Sequence, residues 1–461
     1  MINTAILWFR RDLRLHDNPA LNWVCENCEQ VLPIYVHAPE EEQPWAPGGA
    51  SRWWLHHSLD HLDQQLKQFG LKLHFFSGKS DIVIENLIKQ SGANTLVFNK
   101  LYEPHLHLRD IKLTGKLEKS IEVKDFDSGL FFKPGTILNN QQKPYRVFTP
   151  FYKKLRPILD EVTYPYSGAH DKQKLKKLNL VKINSDHGLQ SLQLLDEPPW
   201  HEKLNNYWQP GERHSSALLD KFIDETAHLY DKNRDVPAVN GSSKLSAALH
   251  FGELTPQQIY QTLKLLLDGV MNSNDMAPAE LYLKQLIWRE IGHHILWHFP
   301  HTTSQPMNPR YKSAFWKKNK KVLGAWQRGE TGIPIVDAGM KQLWETGWMH
   351  NRVRMVVSSF LTKNLGLHWL EGARWFWDTL VDADLANNSM GWQWVAGSGV
   401  DAAPYYRIFN PETQAKRFDP GSDYIDRWLS PGDDMLKVKP IVDLATSRQQ
   451  ALDRYKKYIS S

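Results

Sequence analysis

Residues 375–411 read WFWDTLVDADLANNSMGWQWVAGSGVDAAPYYRIFNP. A helix through the middle of this run sets Asp384, Asn388 and Trp392 four residues apart on one face, a carboxylate, an amide and an indole in line. A helix built only to fill a core would carry aliphatic side chains there, because a buried polar group without a partner costs about 1–3 kcal/mol. The competing reading is a core helix whose Asp and Asn cap a turn while the tryptophans pack. The run alone leaves the two level, and its surroundings decide between them.

Around this run the apolar spacing is helical: segments 217–227, 245–251, 256–267, 279–297, 334–344, 349–363 and 375–380 all repeat at about 3.6 residues. Of the 19 tryptophans, 12 fall between Trp288 and Trp428, so this part of the chain holds an excess of rings that pack, stack on flat heterocycles or carry electrons. Nearer the N-terminus the pattern changes. Short β-branched runs at 5–9, 31–36, 71–76, 95–98 and 121–123 alternate with helical segments such as 51–69 and 81–90, which predicts a doubly wound parallel sheet covered on both faces. Asn18 and Pro19 supply a cap and a first-turn proline for the first helix, and Ser80 is the expected cap of the segment at 81–90. No G-x-G-x-x-G follows the first strand, so the usual dinucleotide fingerprint is missing. Over 131–205 the periodicity fades and Pro134, Pro144, Pro150, Pro157, Pro165, Pro198 and Pro199 punctuate a polar stretch, expected as a long linker. The expected architecture is α/β plus all-α: a five-stranded domain over 1–130, a linker over 131–205 and an all-helical domain over 206–461.

The 461 residues, 41% apolar and 23% charged, have the composition of a soluble globular protein. A formal net charge of +5 permits a polyanionic partner without requiring one. No apolar run suits a signal peptide or a membrane span, so the expected location is the cytoplasm. Cys25 and Cys28 form a lone C-x-x-C. Structural zinc needs further ligands, so no metal is assigned and the pair is expected as reduced thiols.

Four further stretches carry the functional reading: LWFRRDLRLHDNPAL at 7–21, NRDVPAVNGSSKLSAALHFGELTP at 233–256, LIWREIGHHILWHFP at 286–300, and TGIPIVDAGMKQLWETGWMHNRVRMVVSSFLTK at 331–363. With residues 375–411 they resemble the photolyase/cryptochrome family along nearly the whole chain. Within it they are similar to bacterial cyclobutane-pyrimidine-dimer photolyases, and PEEEQPWAPGGASRWWLHHSL at 39–59 resembles the branch near plant cryptochromes. The resemblance implies FAD in the helical domain and light-driven electron transfer to a DNA lesion flipped out of the duplex.

The turn from Asn240 to Ser246 leads into a helix whose N–H groups and hydroxyls suit a pyrophosphate. By resemblance Tyr230, Ser242, Ser243, Lys244, Leu245, Ser246 and Tyr282 contact FAD, and Ala383 and Asp384 meet the flavin. Arg354 is expected beside the isoalloxazine with Asp382, since a buried charge needs its partner. Asn388 matches the position facing flavin N5. An amide there exchanges hydrogen-bond roles, whereas a carboxylate would oppose an anionic flavin. Trp392, Trp369 and Trp316 match the family's electron-carrying tryptophans.

For the lesion, the resemblance implies Trp288 and Trp394 as stacking walls with Met355 lining the pocket. It also implies Arg234, Arg352 and Gln414 on flanking phosphates, with Arg289 and Asn351 at the cavity edge. One residue departs from the pattern. Gln285 stands where the best-described dimer-repairing class has a glutamate, and an amide donates a hydrogen bond but supplies no proton. That is reminiscent of enzymes for the (6-4) photoproduct, which rely on paired histidines, while this sequence has His350-Asn351 and Met355 there. The branch further implies an antenna, 5,10-methenyltetrahydrofolate, near Glu40, Trp45 and Arg52. The expected protein is a monomeric deoxyribodipyrimidine photo-lyase acting on UV-damaged DNA, without a membrane or an obligate protein partner. The alternatives are a cryptochrome-type photoreceptor without repair and a (6-4) photolyase.

Overall fold

The computed structural model describes residues 3–162, 170–184, 187–196, 199–269, 273–311, 316–401, 406–429 and 438–459. From the N-terminus the chain runs β1 (Thr4–Phe9), α1 (Pro19–Asn27), β2 (Gln30–His37), α2 (Gly49–Lys67), β3 (His74–Ser77), α3 (Ser80–Ser91), β4 (Thr95–Asn99), α4 (Pro104–Leu117) and β5 (Glu122–Phe126). All pairings are parallel, in the order β3-β2-β1-β4-β5. Every residue of the central β1 is buried, as a strand covered on both faces requires. Ile6, Trp8, Leu32, Ile34, Leu96 and Phe98 of the strands pack with Ile84 and Leu87 of α3 and with Leu113 and Leu117 of α4. Asn18 caps α1 by accepting the Leu21 N–H at 3.2 Å. Ser80, expected as a cap, is instead the first residue of α3, its N–H and hydroxyl both donating to Glu41.

The chain continues through α5 (Phe148–Glu161), α6 (His170–Leu175), β6 (Asn179–Leu180), α7 (Glu212–Glu225), α8 (Tyr230–Asn233), α9 (Ser246–Phe251), α10 (Pro256–Gly269), α11 (Ser273–His298) and α12 (Lys320–Arg328). Then come α13 (Pro334–Thr346), α14 (Asn351–Ser359) with a π-turn over Phe360–Asn364, α15 (Trp369–Thr379), α16 (Leu385–Ala396), α17 (Pro411–Phe418), α18 (Asp423–Trp428) and α19 (Leu444–Ile459). The stretch expected as a linker therefore carries structure. In α5, Phe151, Leu155 and Leu159 recur every fourth residue and are buried, so the helix forms despite its prolines. β6 makes the sheet six-stranded rather than five-stranded. β3 pairs with β2 only from Ile34 onward, and Asn179–Leu180 pair with Gln30 and Val31. Two residues are too few to show a period in the sequence.

Contacts divide the chain into two compact units. The first comprises Met1–Ile137, Leu155–Ile223 and Lys244–Met271, the second Leu138–Lys154, Asp224–Ser243 and Asn272–Ser461. The helices α9 and α10 thus belong with the sheet, not with the helical unit that sequence periodicity suggested. Glu253 shows why. Its carboxylate is fully buried and collects the indole N–H of Trp54, the hydroxyls of Ser58 and Ser215 and the N–H of Gly211. Next to it Gly252 has φ +66° and so little room that a Cβ would lie 2.1 Å from the Arg11 carbonyl. Neither Cys25 nor Cys28 is in a disulfide, and burial with nearby Glu122 pushes Cys28 up to about 11. Among the described residues no helix is long and apolar enough to cross a membrane.

Candidate cofactor and nucleic-acid site

Asp384 is the N-cap of α16, not a residue within it: one carboxylate oxygen accepts the Asn387 N–H at 2.9 Å and the Asn387 side-chain amide at 2.6 Å. Asn388 follows in the first turn, with its Nδ2 donating to the Ala373 carbonyl at 3.0 Å, and Trp392 one turn later. All three line one cavity of about 470 Å³ in the second unit, within the range of about 300–1,000 Å³ usual for ligand and cofactor sites. Capping and cavity lining are thus done by the same residues. Asp382, Ala383 and Arg354 share that wall. One Arg354 nitrogen donates to both Asp382 oxygens at 3.1 and 2.9 Å, and its Nε donates to the Met349 carbonyl at 2.7 Å. The Asp382 side chain is 4% exposed, and this guanidinium supplies the opposite charge that a nearly buried carboxylate calls for.

Trp392 is 2% exposed and packs edge-to-face on Phe376, with ring centres 5.0 Å apart, and on Trp326 at 6.2 Å. Its six-membered ring lies on Gly372 of α15, where a Cβ would come within 2.0 Å of it. Gly372→Ala is accordingly expected to lower the melting temperature by several degrees, since overpacking costs about 1–3 kcal/mol; an unchanged thermal transition would contradict the contact. Among the described residues no acceptor meets the buried indole N–H of Trp392, a donor on the cavity wall. A planar heterocycle with hydrogen-bonding edges suits this set: a fixed arginine–carboxylate pair, a capped carboxylate, an amide and an indole.

Trp369 and Trp316 lie off the cavity. Both touch His368, whose ring is 5.8 Å from that of Trp369 and 5.1 Å from that of Trp316. Burial lowers the His368 imidazole to about 4, so it is neutral at physiological pH.

Elsewhere the cavity is lined by Trp288, Trp394, Met355, Gln285, Asn351, Arg234 and Arg352. Phe148 stacks on Trp288, with ring centres 3.9 Å apart and planes within 4° of parallel, covering one face of the ring. Trp394 stacks on Phe409 at 5.9 Å, with the Arg407 guanidinium 5.3 Å from its centre. Arg352 and Arg234 share Asp235, at 2.9 and 3.8 Å, so the pair keeps a net positive charge. Gln285 donates to the Leu281 carbonyl at 3.0 Å and accepts from Arg234 at 3.4 Å. Buried His350 caps α14 by accepting the Arg352 N–H at 3.2 Å, and burial lowers it to about 4.

Other expected residues stand apart. Arg289, one position beyond Trp288 and hence about 100° further round α11, lies 4.0 Å from Glu290 and does not line the cavity. Gln414 sits on α17, which contributes no described lining residue. Tyr282 donates to Ser243 at 2.9 Å and packs edge-on against Tyr230 at 5.2 Å; these and Ser242 are in the second unit but off the cavity wall. Lys244, Leu245 and Ser246 fall in the first unit, at the start of α9, with Lys244 at φ +56°. Of the residues suggested for an antenna, Arg52 spends its guanidinium on Asp196 and the Leu194 and Pro47 carbonyls, and Trp45 is 6% exposed. Sequence reasoning missed Phe148, Phe376, Gly372 and His368. A glycine one helical turn from Phe376 was the one local hint.

Residues 282–437 match the family model for the FAD binding domain of DNA photolyase, and residues 5–168 match that for DNA photolyase. A deoxyribodipyrimidine photo-lyase of Agrobacterium fabrum is 38% identical over 479 residues, covering 98% of this chain and 97% of its own. Cryptochrome-2 of Arabidopsis thaliana is 35% identical over 488 residues, covering 97% and 78%. Among solved structures, a bacterial class III photolyase from Agrobacterium tumefaciens matches with a TM-score of 0.91 at 37% identity, over 100% of this chain and 98% of that one.

Proposed function

The chain belongs to the photolyase/cryptochrome family and carries its FAD-binding domain, and from that premise we propose that it reverses cyclobutane pyrimidine dimers in DNA in a light-dependent reaction. One observation carries the reading: a single cavity is lined both by Arg354, Asp382, Asp384, Asn388 and Trp392 and by Trp288, Trp394, Met355 and Gln285. The first set suits a flavin and the second a pair of unstacked bases.

Bound FAD supplies the light absorption and the electron that a dimer accepts and returns. The protein's own groups do the rest. Arg354 and Asp382 would hold the ring edge as a fixed dipole. Asn388 has committed its Nδ2 to Ala373, which leaves its oxygen to accept an N–H from the cavity. Trp392 stands at the wall as electron donor, and Trp369 and Trp316, each against neutral His368, would carry the charge onward. A charged imidazolium there would oppose a positive charge moving outward.

On the lesion side Trp288, braced by Phe148, and Trp394 offer flat apolar walls to a flipped-out dimer. The net positive charge shared by Arg234 and Arg352 suits a flanking phosphate. Gln285 is engaged at both ends of its amide and holds no acidic proton, so any proton stabilising the lesion's added charge must come from elsewhere. His350 spends its free nitrogen on a helix cap, which weighs against a (6-4) reading that needs histidines at the lesion.

Illumination of the flavin-loaded protein with a dimer-containing oligonucleotide tests the proposal: restored thymine absorbance supports it, and flavin photochemistry without restored thymines favours a photoreceptor. Trp288→Ala should weaken binding to dimer-containing DNA by about 1–3 kcal/mol, roughly tenfold to a hundredfold, and barely affect undamaged DNA. Equal losses on both DNAs would defeat the stacking role.

A further inference from the structure

Trp316, the last of the three tryptophans matched to electron carriers, is half-buried and stands directly before a run of charge, Lys317-Lys318-Asn319-Lys320-Lys321. The segment is held in place. The Lys317 N–H donates to the Gly366 carbonyl at 2.8 Å, Lys317 pairs in parallel with Leu367, and the Trp316 ring lies 5.1 Å from that of His368. All four lysines are exposed, and among the described residues none of them pairs with a carboxylate. Exposed Arg374 of α15 adds to the positive field, close enough to His368 to help burial lower that imidazole, and Glu371 is the one carboxylate in the first turn of the same helix.

The lysines also run against the helix they open. Asn319 caps α12 by accepting the Val322 N–H at 3.1 Å, so Lys320 and Lys321 occupy its first turn, which holds no acidic residue. That end of a helix is positive and favours carboxylates, so a face chosen for helix stability would carry the opposite sign. Local conflicts of this kind gather at functional sites. Among the described residues none from 316 to 328 lines the cavity, so this charge is not placed for a flipped-out lesion. Nor does any of the large exposed apolar side chains fall within 316–328 or 366–374, whereas a docking protein needs an apolar centre. A small dissolved anion needs only the field.

We propose that Lys317, Lys318, Lys320 and Lys321 form a collecting surface that brings a small anionic one-electron donor to Trp316. Once Trp316 has given up an electron toward the flavin, the donor passes one electron to the oxidised indole. Trp316 is reduced, the donor leaves oxidised, and no bond between them forms or breaks. The lysines and the positive end of α12 raise the local concentration of anions and leave uncharged donors unaffected, so charge decides which reductant refills the relay. The inference rests on the reading that Trp316 ends the relay from Trp392.

The test follows the recovery of the oxidised tryptophan after a laser flash on the holoprotein, with ferrocyanide as the anionic donor and catechol as the uncharged one. For the wild type the ferrocyanide rate constant should fall about tenfold or more between about 0.01 and about 1 M salt, as the screening length shrinks from about 30 to about 3 Å. The catechol rate should hold. Replacing the four lysines together (Lys317→Gln, Lys318→Gln, Lys320→Gln and Lys321→Gln) should lower the low-salt ferrocyanide rate about tenfold, and arginine at the same four positions should retain it. A second readout needs no photochemistry. Iodide quenching of Trp316 fluorescence, taken as the difference from Trp316→Phe, should drop several-fold in the glutamine variant while quenching by uncharged acrylamide stays the same. A ferrocyanide rate indifferent to both salt and the lysines overturns the proposal. So does a glutamine variant that loses affinity for undamaged DNA at an unchanged ferrocyanide rate, which would make the patch a phosphate-binding face. A relay that does not end at Trp316 shows itself separately, as a wild-type ferrocyanide rate in Trp316→Phe.

Discussion

Arg354→Ala is expected to purify almost without flavin and to melt well below the wild type. Removing the guanidinium takes an ion-pair partner from the Asp382 carboxylate, 4% exposed, in the cavity wall. Breaking a buried ion pair from one side costs about 3–5 kcal/mol. Arg354 is itself 23% exposed, so solvent screening brings the expected loss to the lower end of that range. The same substitution removes a positive charge from the flavin side and the hydrogen bond that ties the side chain to Met349. The ratio of visible to protein absorbance reads occupancy, and calorimetry with added FAD reads affinity. Arg354→Lys should fall between, since a point charge replaces a planar fork. Full occupancy in Arg354→Ala would sink the site assignment.

Trp392→Phe is expected to slow light-driven reduction of the oxidised flavin by orders of magnitude, while protein reduced chemically beforehand keeps most of its dimer repair. The smaller ring still fills much of the space against Gly372 and Phe376 and is far harder to oxidise than an indole. Flavin bleaching under blue light with an external donor measures the first effect, and repair after dithionite treatment measures the second. An unchanged bleaching rate would mean that electrons enter by another residue. Loss of both activities would point to collapse of the cavity rather than a broken relay.

What the sequence revealed divides along a physical line. Periodicity and caps are local, so β1, β2, α2 and the Asn18 cap were readable from neighbouring residues. The run at 375–411 was readable too, because a carboxylate, an amide and an indole at helical spacing make a poor core on their own. Its start was misplaced: whether Asp384 sits in the helix or before it depends on a hydrogen bond from Asn387, which composition does not reveal. Phe148 and Trp288 are far apart in the chain and meet only through tertiary packing. Nothing in the sequence sets His368 apart, because the two indoles against it meet it only through packing. Likewise, helical spacing at 246–269 tells that helices form but not which core they join.

The three-part make-up of the first unit constrains its synthesis. Glu253, the residue that gathers donors from α2 and from 211–215, leaves the ribosome long after the sheet strands do. Until then Trp54 of α2 lacks both the Glu253 carboxylate and the Phe251 ring that stacks on it, and this uncovered apolar surface invites chaperones or misassembly. A fragment ending at Ile137 is therefore not a natural stopping point for the ribosome's product, however complete its strand order looks on paper.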